Sequence, residues 1–168
     1  MRFWVRRLFA AAILAGFPAW ATAQGTEVAF GAFTHDSTLP VEVAAERLAV
    51  DQADGTAIFS GNVVIGQGDM RITAGQVKVL YADGSDATGE IDRLEATGGV
   101  TLVSGAEAAE AREAVYSIED GNIVMTGDVV LTQGRNALSS QKLTVNLNTG
   151  TGVMEGGVKT ILQTGGAP

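Results

Sequence analysis

The sequence predicts an all-β chain built as a stack of hairpins, on three observations. A phrase recurs four times, apolar residues alternate with period two inside each copy, and turn residues fall at one offset in every copy. The copies run from Ala45 to Gly61, Ala74 to Gly98, Ala111 to Gly127 and Ser140 to Gly156. Each opens on a small residue, and apolar residues follow three and five places on: Leu48 and Val50, Val77 and Val79, Ala114 and Tyr116, Leu143 and Val145. Each closes on a glycine with a valine two places beyond: Gly61-Val63, Gly98-Val100, Gly127-Val129, Gly156-Val158. A fixed period of this size marks stacked supersecondary units that cannot bury an apolar face alone. The starts are 29, 37 and 29 residues apart, so the second unit carries an eight-residue insertion, placed at about Ser85 to Asp92.

The strands follow from parity. Phe59, Val63 and Ile65 share one parity, as do Val100 and Leu102, and Met125, Val129 and Leu131. Such alternation is a half-buried strand. A second strand carries Ile72 and Ala74, then Val77, Val79 and Tyr81, and the parity changes between Ala74 and Val77. One extra residue there predicts a bulge that turns the strand at a corner. Leu138 and Ser140, then Leu143, Val145 and Leu147, repeat the pattern.

The turns come next. Asp54-Gly55, Asp83-Gly84, Asp120-Gly121 and Asn148-Thr149-Gly150 hold one offset, and Gln67-Gly68, Ser104-Gly105 and Gln133-Gly134 close the opposite ends. Glycine and Asx residues tolerate the positive φ of tight hairpins. No proline interrupts Val41 to Ala167, as a hydrogen-bonded ladder requires. Ala106 to Val115 has helix-forming composition, but it occupies a strand position in the repeat, so a strand is expected there.

Residues 1–23 read as a secretory signal peptide: Arg2, Arg6 and Arg7, an apolar run from Leu8 to Trp20, and Ala21-Thr22-Ala23 before Gln24. The uncharged stretch is shorter than the roughly 20 residues a membrane span needs. Residues 24–168 then form a single domain. Losing three arginines leaves 8 basic residues against 19 acidic ones, a net charge of about −11. That sign disfavours nucleic acid and anionic membranes as partners. With no cysteine, the exported chain relies on burial and backbone pairing, which suits a bacterial periplasm.

An active site is not expected. His35 is the only histidine and stands outside the repeats. Glu107 and Glu110, and Asp83 and Asp86, read as solvated charge in turns and the insertion. The glycine-rich phrases lead into strands, whereas a phosphate cradle needs a helix N-terminus. No catalytic residue, metal or cofactor is assigned. The candidate site is the apolar face itself: Phe59, Val63, Ile65, Ile72, Val77, Val79, Val100, Leu102, Tyr116, Met125, Val129, Leu131, Leu143 and Val145. These residues also form the core, and an incompletely closed stack would expose part of that core as a groove.

The phrase Phe59-Ser60-Gly61-Asn62-Val63-Val64-Ile65-Gly66-Gln67-Gly68 recurs as Met125-Thr126-Gly127-Asp128-Val129-Val130-Leu131-Thr132-Gln133-Gly134. Four such units in phase behind a signal peptide resemble the LptA/OstA-like family of periplasmic lipopolysaccharide transport bridge proteins. The likeness covers about Val41 to Leu162. It implies an open, elongated β-jellyroll with an apolar groove for lipopolysaccharide acyl chains. It also implies edge-strand pairing with LptC-like and LptD-like proteins and head-to-tail self-association. Exposed edges are expected at both ends, from Glu27 to Arg47 and from Val158 to Gln163, and such edges invite β-augmentation.

Three other readings stay open. One is an LptC-like subunit that keeps its N-terminal segment as an anchor; another is a polymerising β-solenoid scaffold without lipid cargo. The third, a β-helix acting on polysaccharide, would need a cluster of acidic or basic residues where the repeat places apolar ones.

Overall fold

The computed structural model describes residues 26–29 as backbone, and 38–51, 53–82 and 89–161 in full. The signal peptide, His35, Asp83-Gly84, Asp86 and residues 162–168 lie outside the described residues, as does the first half of the insertion, residues 85–88. The rest forms one antiparallel sheet of thirteen strands, with no helix among the described residues.

The strands are β1 (Thr26–Ala29), β2 (Glu42–Ala44), β3 (Arg47–Asp51), β4 (Thr56–Gln67), β5 (Met70–Tyr81), β6 (Ile91–Thr97) and β7 (Val100–Ser104). They continue with β8 (Glu107–Ala111), β9 (Glu113–Ser117), β10 (Asn122–Gln133), β11 (Asn136–Asn146), β12 (Thr151–Glu155) and β13 (Lys159–Ile161). The region of helix-like composition is β8 and β9: cross-strand pairing decides its state, not propensity.

Four strands are long and bent, and their two halves pair with different partners. The first half of β4 pairs with β3 and with the second half of β5; its second half pairs with β2 and with the first half of β5. β10 and β11 behave likewise. The sheet is therefore folded into two layers along a line of corners. One layer, here the repeat layer, runs β3, β4, β5, β6, β9, β10, β11, β12, β1 and contains the four repeated units, one hairpin each. The return layer runs β2, β4, β5, β7, β8, β10, β11, β13.

The corners are made by the glycines that close each unit. At Gly61-Asn62 and Gly127-Asp128 two successive residues have φ between 45° and 86°. Two residues there face one on the neighbouring strand, with register shifts between Ser60 and Val63 and between Thr126 and Val129. Glycine occupies that region freely and Asn and Asp are the residues that best follow it. The expected bulge is present, but its extra residue sits on β4 and β10. On β5 the parity change appears as two exposed residues, Gly75 and Gln76, between buried Ala74 and Val77. At the second unit the corner is glycine on both strands, and a Cβ on Gly98 would stand 3.2 Å from the Gly75 Cα. The described turns hold as read, with φ of 58° at Gly55, 62° at Gly121, 55° at Gly68 and 57° at Gly134.

Two expectations change. Glu27 belongs to β1, which pairs with β12 at the fourth-unit end and not at the first-unit edge. Ile91 and Asp92, assigned to the insertion, are part of β6. Asp92 is left over in a bulge, because Tyr81 pairs with Ile91 and Leu80 with Arg93.

Candidate functional site

The two layers share one apolar cluster. Thirteen of the fourteen candidate residues are buried in it, and Phe59 is half-buried against it. All fourteen point inward, because β-strand side chains alternate and the register keeps inward residues opposite one another: Val77 faces Phe59 and Ala96, Leu102 faces Ile72 and Ala109, and Tyr116 faces Leu94 and Ile123. Burying each such side chain contributes about 1.5–3 kcal/mol, so the inner face is the main source of stability.

Among the described residues the inner face reaches solvent in two places. At the first-unit end, Leu48 and Val50 on β3 lie opposite Phe59 and Ala57 and continue the inner face, yet they are 53% and 50% exposed. Among the described residues β3 pairs only with β4, and no further strand covers them. The second opening lies along the seam opposite the corners. A cavity of about 500 Å³ there is lined by Val41, Ala82, Ile91 and Ile118 with Glu90, Asp92 and Glu119. Val41, Ile91 and Ile118 pack against the core; the sequence reading missed them because Val41 and Ile118 lie just beyond the ends of β2 and β9 and Ile91 is put out of phase by the bulge at Asp92.

The two layers differ at this seam. From corner to rim, the inward residues of the return layer run Val63, Ile65, Gln67; Val100, Leu102, Ser104; and Val129, Leu131, Gln133. Each series ends on a polar residue, and across the turns stand Met70, Glu107 and Asn136. In the repeat layer the corresponding series stay apolar or aromatic: Val77, Val79, Tyr81; Ala114, Tyr116, Ile118; Leu143, Val145, Leu147. Gln67, Ser104 and Gln133 read in the sequence as turn markers. Their parity with the two apolar residues before each of them is the signal that would have placed them inside.

A buried side-chain hydrogen bond crosses the seam. Tyr116 of the repeat layer donates its hydroxyl to Gln67 Oε1 of the return layer at 2.7 Å, and both residues are buried. Gln67 Nε2 in turn donates to the Leu39 carbonyl at 2.8 Å, tying down the segment that leads into β2. Burial pushes the Tyr116 hydroxyl up to about 12, against the lowering effect of its bond to Gln67. The pair therefore acts as a neutral latch between the layers at ordinary pH.

Glu107 and Glu110 correct the sequence reading, since they lie in β8 rather than in a turn. Glu110 is exposed. Glu107 points inward; its Oε1 accepts from Gln133 Nε2 at 3.0 Å, and its Oε2 is buried. Among the described residues no group of three or more His, Cys, Asp or Glu side chains is placed to hold a metal.

The described residues thus form a folded sheet with a continuous apolar interior, a polar rim on one layer and edge strands at its ends. The chain belongs to the LptA/(LptD N-terminal domain) lipopolysaccharide transport protein family, whose model matches residues 42–151. That description is of transport and not of catalysis. The chain is 30% identical over 109 residues to an uncharacterised protein of Rhizobium meliloti (strain 1021), covering 62% of this chain and 59% of that one. Among solved structures it is similar to LptH of Pseudomonas aeruginosa, described as the LptA-homologous periplasmic component of the conserved lipopolysaccharide transport device. The TM-score is 0.66 at 15% identity, covering 76% of this chain and 98% of that one, a likeness of fold.

Proposed function

We propose that this protein is a non-catalytic periplasmic conduit that holds lipopolysaccharide acyl chains between its two layers and bridges the inner and outer membranes. The observation that carries this reading is the continuous inner face that, among the described residues, runs out at half-exposed Leu48 and Val50 and opens along the seam beside Val41, Ile91 and Ile118. Acyl transfer from water is favourable by about 0.8 kcal/mol per buried CH₂. Against a membrane donor the same term nearly cancels, so the lipid is kept from water without being trapped. The acids at the seam, Glu90, Asp92 and Glu119, repel phosphate and leave the phosphorylated sugars outside.

On this reading residues 1–23 are removed, residues 24–168 form the mature domain, and the edges take partners by strand addition. The β2/β3 edge and the β13 edge pair with LptC-like and LptD-like proteins or with further copies of this chain. A tether across the seam tests the central step. The sequence has no cysteine, so Val41→Cys with Ile118→Cys supplies the only thiols. Bridging them with a cleavable bismaleimide is expected to block lipopolysaccharide uptake, and cleaving the bridge to restore it. Uptake unchanged by the bridge would place the lipid elsewhere.

A further inference from the structure

Glu107 is half-buried, and one oxygen of its carboxylate, Oε2, is shielded from solvent in a place that packing does not explain. Its backbone neighbours across the sheet are Ser104 and Gln133, and two residues further in lies Ala109, flanked by Leu102 and Leu131. Glu107 therefore stands where the return layer's inner face passes from apolar to polar. Oε1 takes a hydrogen bond from Gln133, while Oε2 is shielded from solvent and has no partner among the described residues. An ionised carboxylate only accepts, and a buried acceptor left unpaired is costly. Native structures hold few such atoms. An alanine or leucine here would continue the apolar face at lower cost.

The group that satisfies Oε2 must bring an N–H, an O–H or a cation. Three of the chain's own cations are engaged elsewhere: Arg93 with Asp92 and Glu95, Arg112 with Asp128, and Lys142 with Glu155. Among the described residues no set of ligands for a metal accompanies Glu107. A phosphate would be repelled.

We infer that Glu107 is a selectivity residue for the cargo: its free carboxylate oxygen accepts a hydrogen bond from an amide N–H or a hydroxyl at the head end of an acyl chain seated between the layers. The inference rests on the conduit reading and narrows it. Acyl chains joined through an amide, or hydroxylated near the join, satisfy the rim. Plain ester-linked chains carry no donor there and leave Oε2 unpaired. The acyl tail lies toward Leu102 and Leu131, and the donor meets Glu107 where the face turns polar.

The test compares two single-chain probes of equal length on the full chain, with a shared headgroup that carries no donor. One has a 3-hydroxyacyl amide linkage, the other an unhydroxylated ester. The wild type is expected to prefer the amide by about ten-fold or more, the factor that one hydrogen bond to a charged acceptor supplies. Glu107→Leu is expected to bring the ratio to about one while ester binding is kept or improved, and to raise the melting temperature, because it removes an unpaired buried acceptor. Glu107→Gln, nearly isosteric, is expected to fall between and guards against a repacking artefact. A preference retained in Glu107→Leu, or equal binding of both probes by the wild type, overturns the assignment and leaves the conduit standing. If the wild type binds neither probe nor lipopolysaccharide, the conduit reading itself falls.

Discussion

The repeat layer and the return layer are made from the same four long strands, yet only one of them is apolar from corner to rim. In the repeat layer the inward series end on Tyr81, Ile118 and Leu147; in the return layer they end on Gln67, Ser104 and Gln133. One face offers grease to the seam, the other hydrogen-bonding groups. The comparison teaches that the interior is not uniform: it is apolar on both layers near the corners and turns polar at the rim in three series of the return layer. On the proposed reading, a tail would lie near the corners and a polar linkage near that rim. The family's transport description and the open edges agree with that reading.

The first way to break the comparison is to ask whether the layers contribute equally to the fold. Leu131 on the return half of β10 and Leu143 on the repeat half of β11 are both fully buried. Each Leu→Ala change should cost about 2–5 kcal/mol in chemical denaturation, with similar values for the two layers. A loss confined to one layer would mean that the other is not packed against it.

The latch gives the next largest effect. Tyr116→Phe keeps the ring and removes the cross-layer hydrogen bond to Gln67, at a cost of about 1–2 kcal/mol near neutral pH. Its pH dependence has a definite sign. The Tyr116 hydroxyl titrates near 12 in the folded chain and near its ordinary 10 when unfolded. The folded state therefore holds the proton more tightly, and the stabilisation is complete below pH 10 and lost as pH rises toward 12. Wild type should lose up to about 2–3 kcal/mol more than Tyr116→Phe across that window. Parallel curves for the two proteins would show that Tyr116 is not buried between the layers.

Smaller effects sharpen the picture of the ends. Leu48→Asp, on the exposed edge strand, is expected to change stability by less than about 0.5 kcal/mol. It should nevertheless weaken lipopolysaccharide uptake, because it places a charge where the apolar face runs out. Smallest is Lys142→Ala, which breaks a half-exposed pair with Glu155 at 3.2 Å on the repeat layer's outer surface. It is expected to cost no more than about 0.5 kcal/mol and to leave lipid uptake unchanged. A marked loss of uptake there would move the site to the outside.

Much of this was legible in the sequence because it is local. Parity located the inward residues, Gly55 and Gly121 the turns of one end and Gly68 and Gly134 those of the other, and the repeat's phase overrode the helical composition of Ala106 to Val115. What was not legible depends on distant partners. The pairing of β1 with β12 joins opposite ends of the chain, and no local pattern specifies it. The position of the bulge was ambiguous because a parity change on β5 and an extra residue on β4 are two sides of one irregularity. Glu107 was misread because a glutamate beside Gly105 has the composition of a solvated turn, whereas its register opposite Gln133 turns it inward. Tyr116 was found as an inward residue, but its bond to Gln67 depends on how the layers close.

The account turns on the lipid lying between the layers, and β10 tests this most directly because it crosses both. Photoreactive side chains placed singly at Ile123 and Met125 on its repeat half, at Val129 and Leu131 on its return half, and at the outward Val130 and Thr132 should label lipopolysaccharide in alternation. The expected result is crosslinking at all four inward positions and none at the two outward ones. Equal labelling along the strand, or labelling confined to the outward residues, would contradict a conduit formed by the inner face.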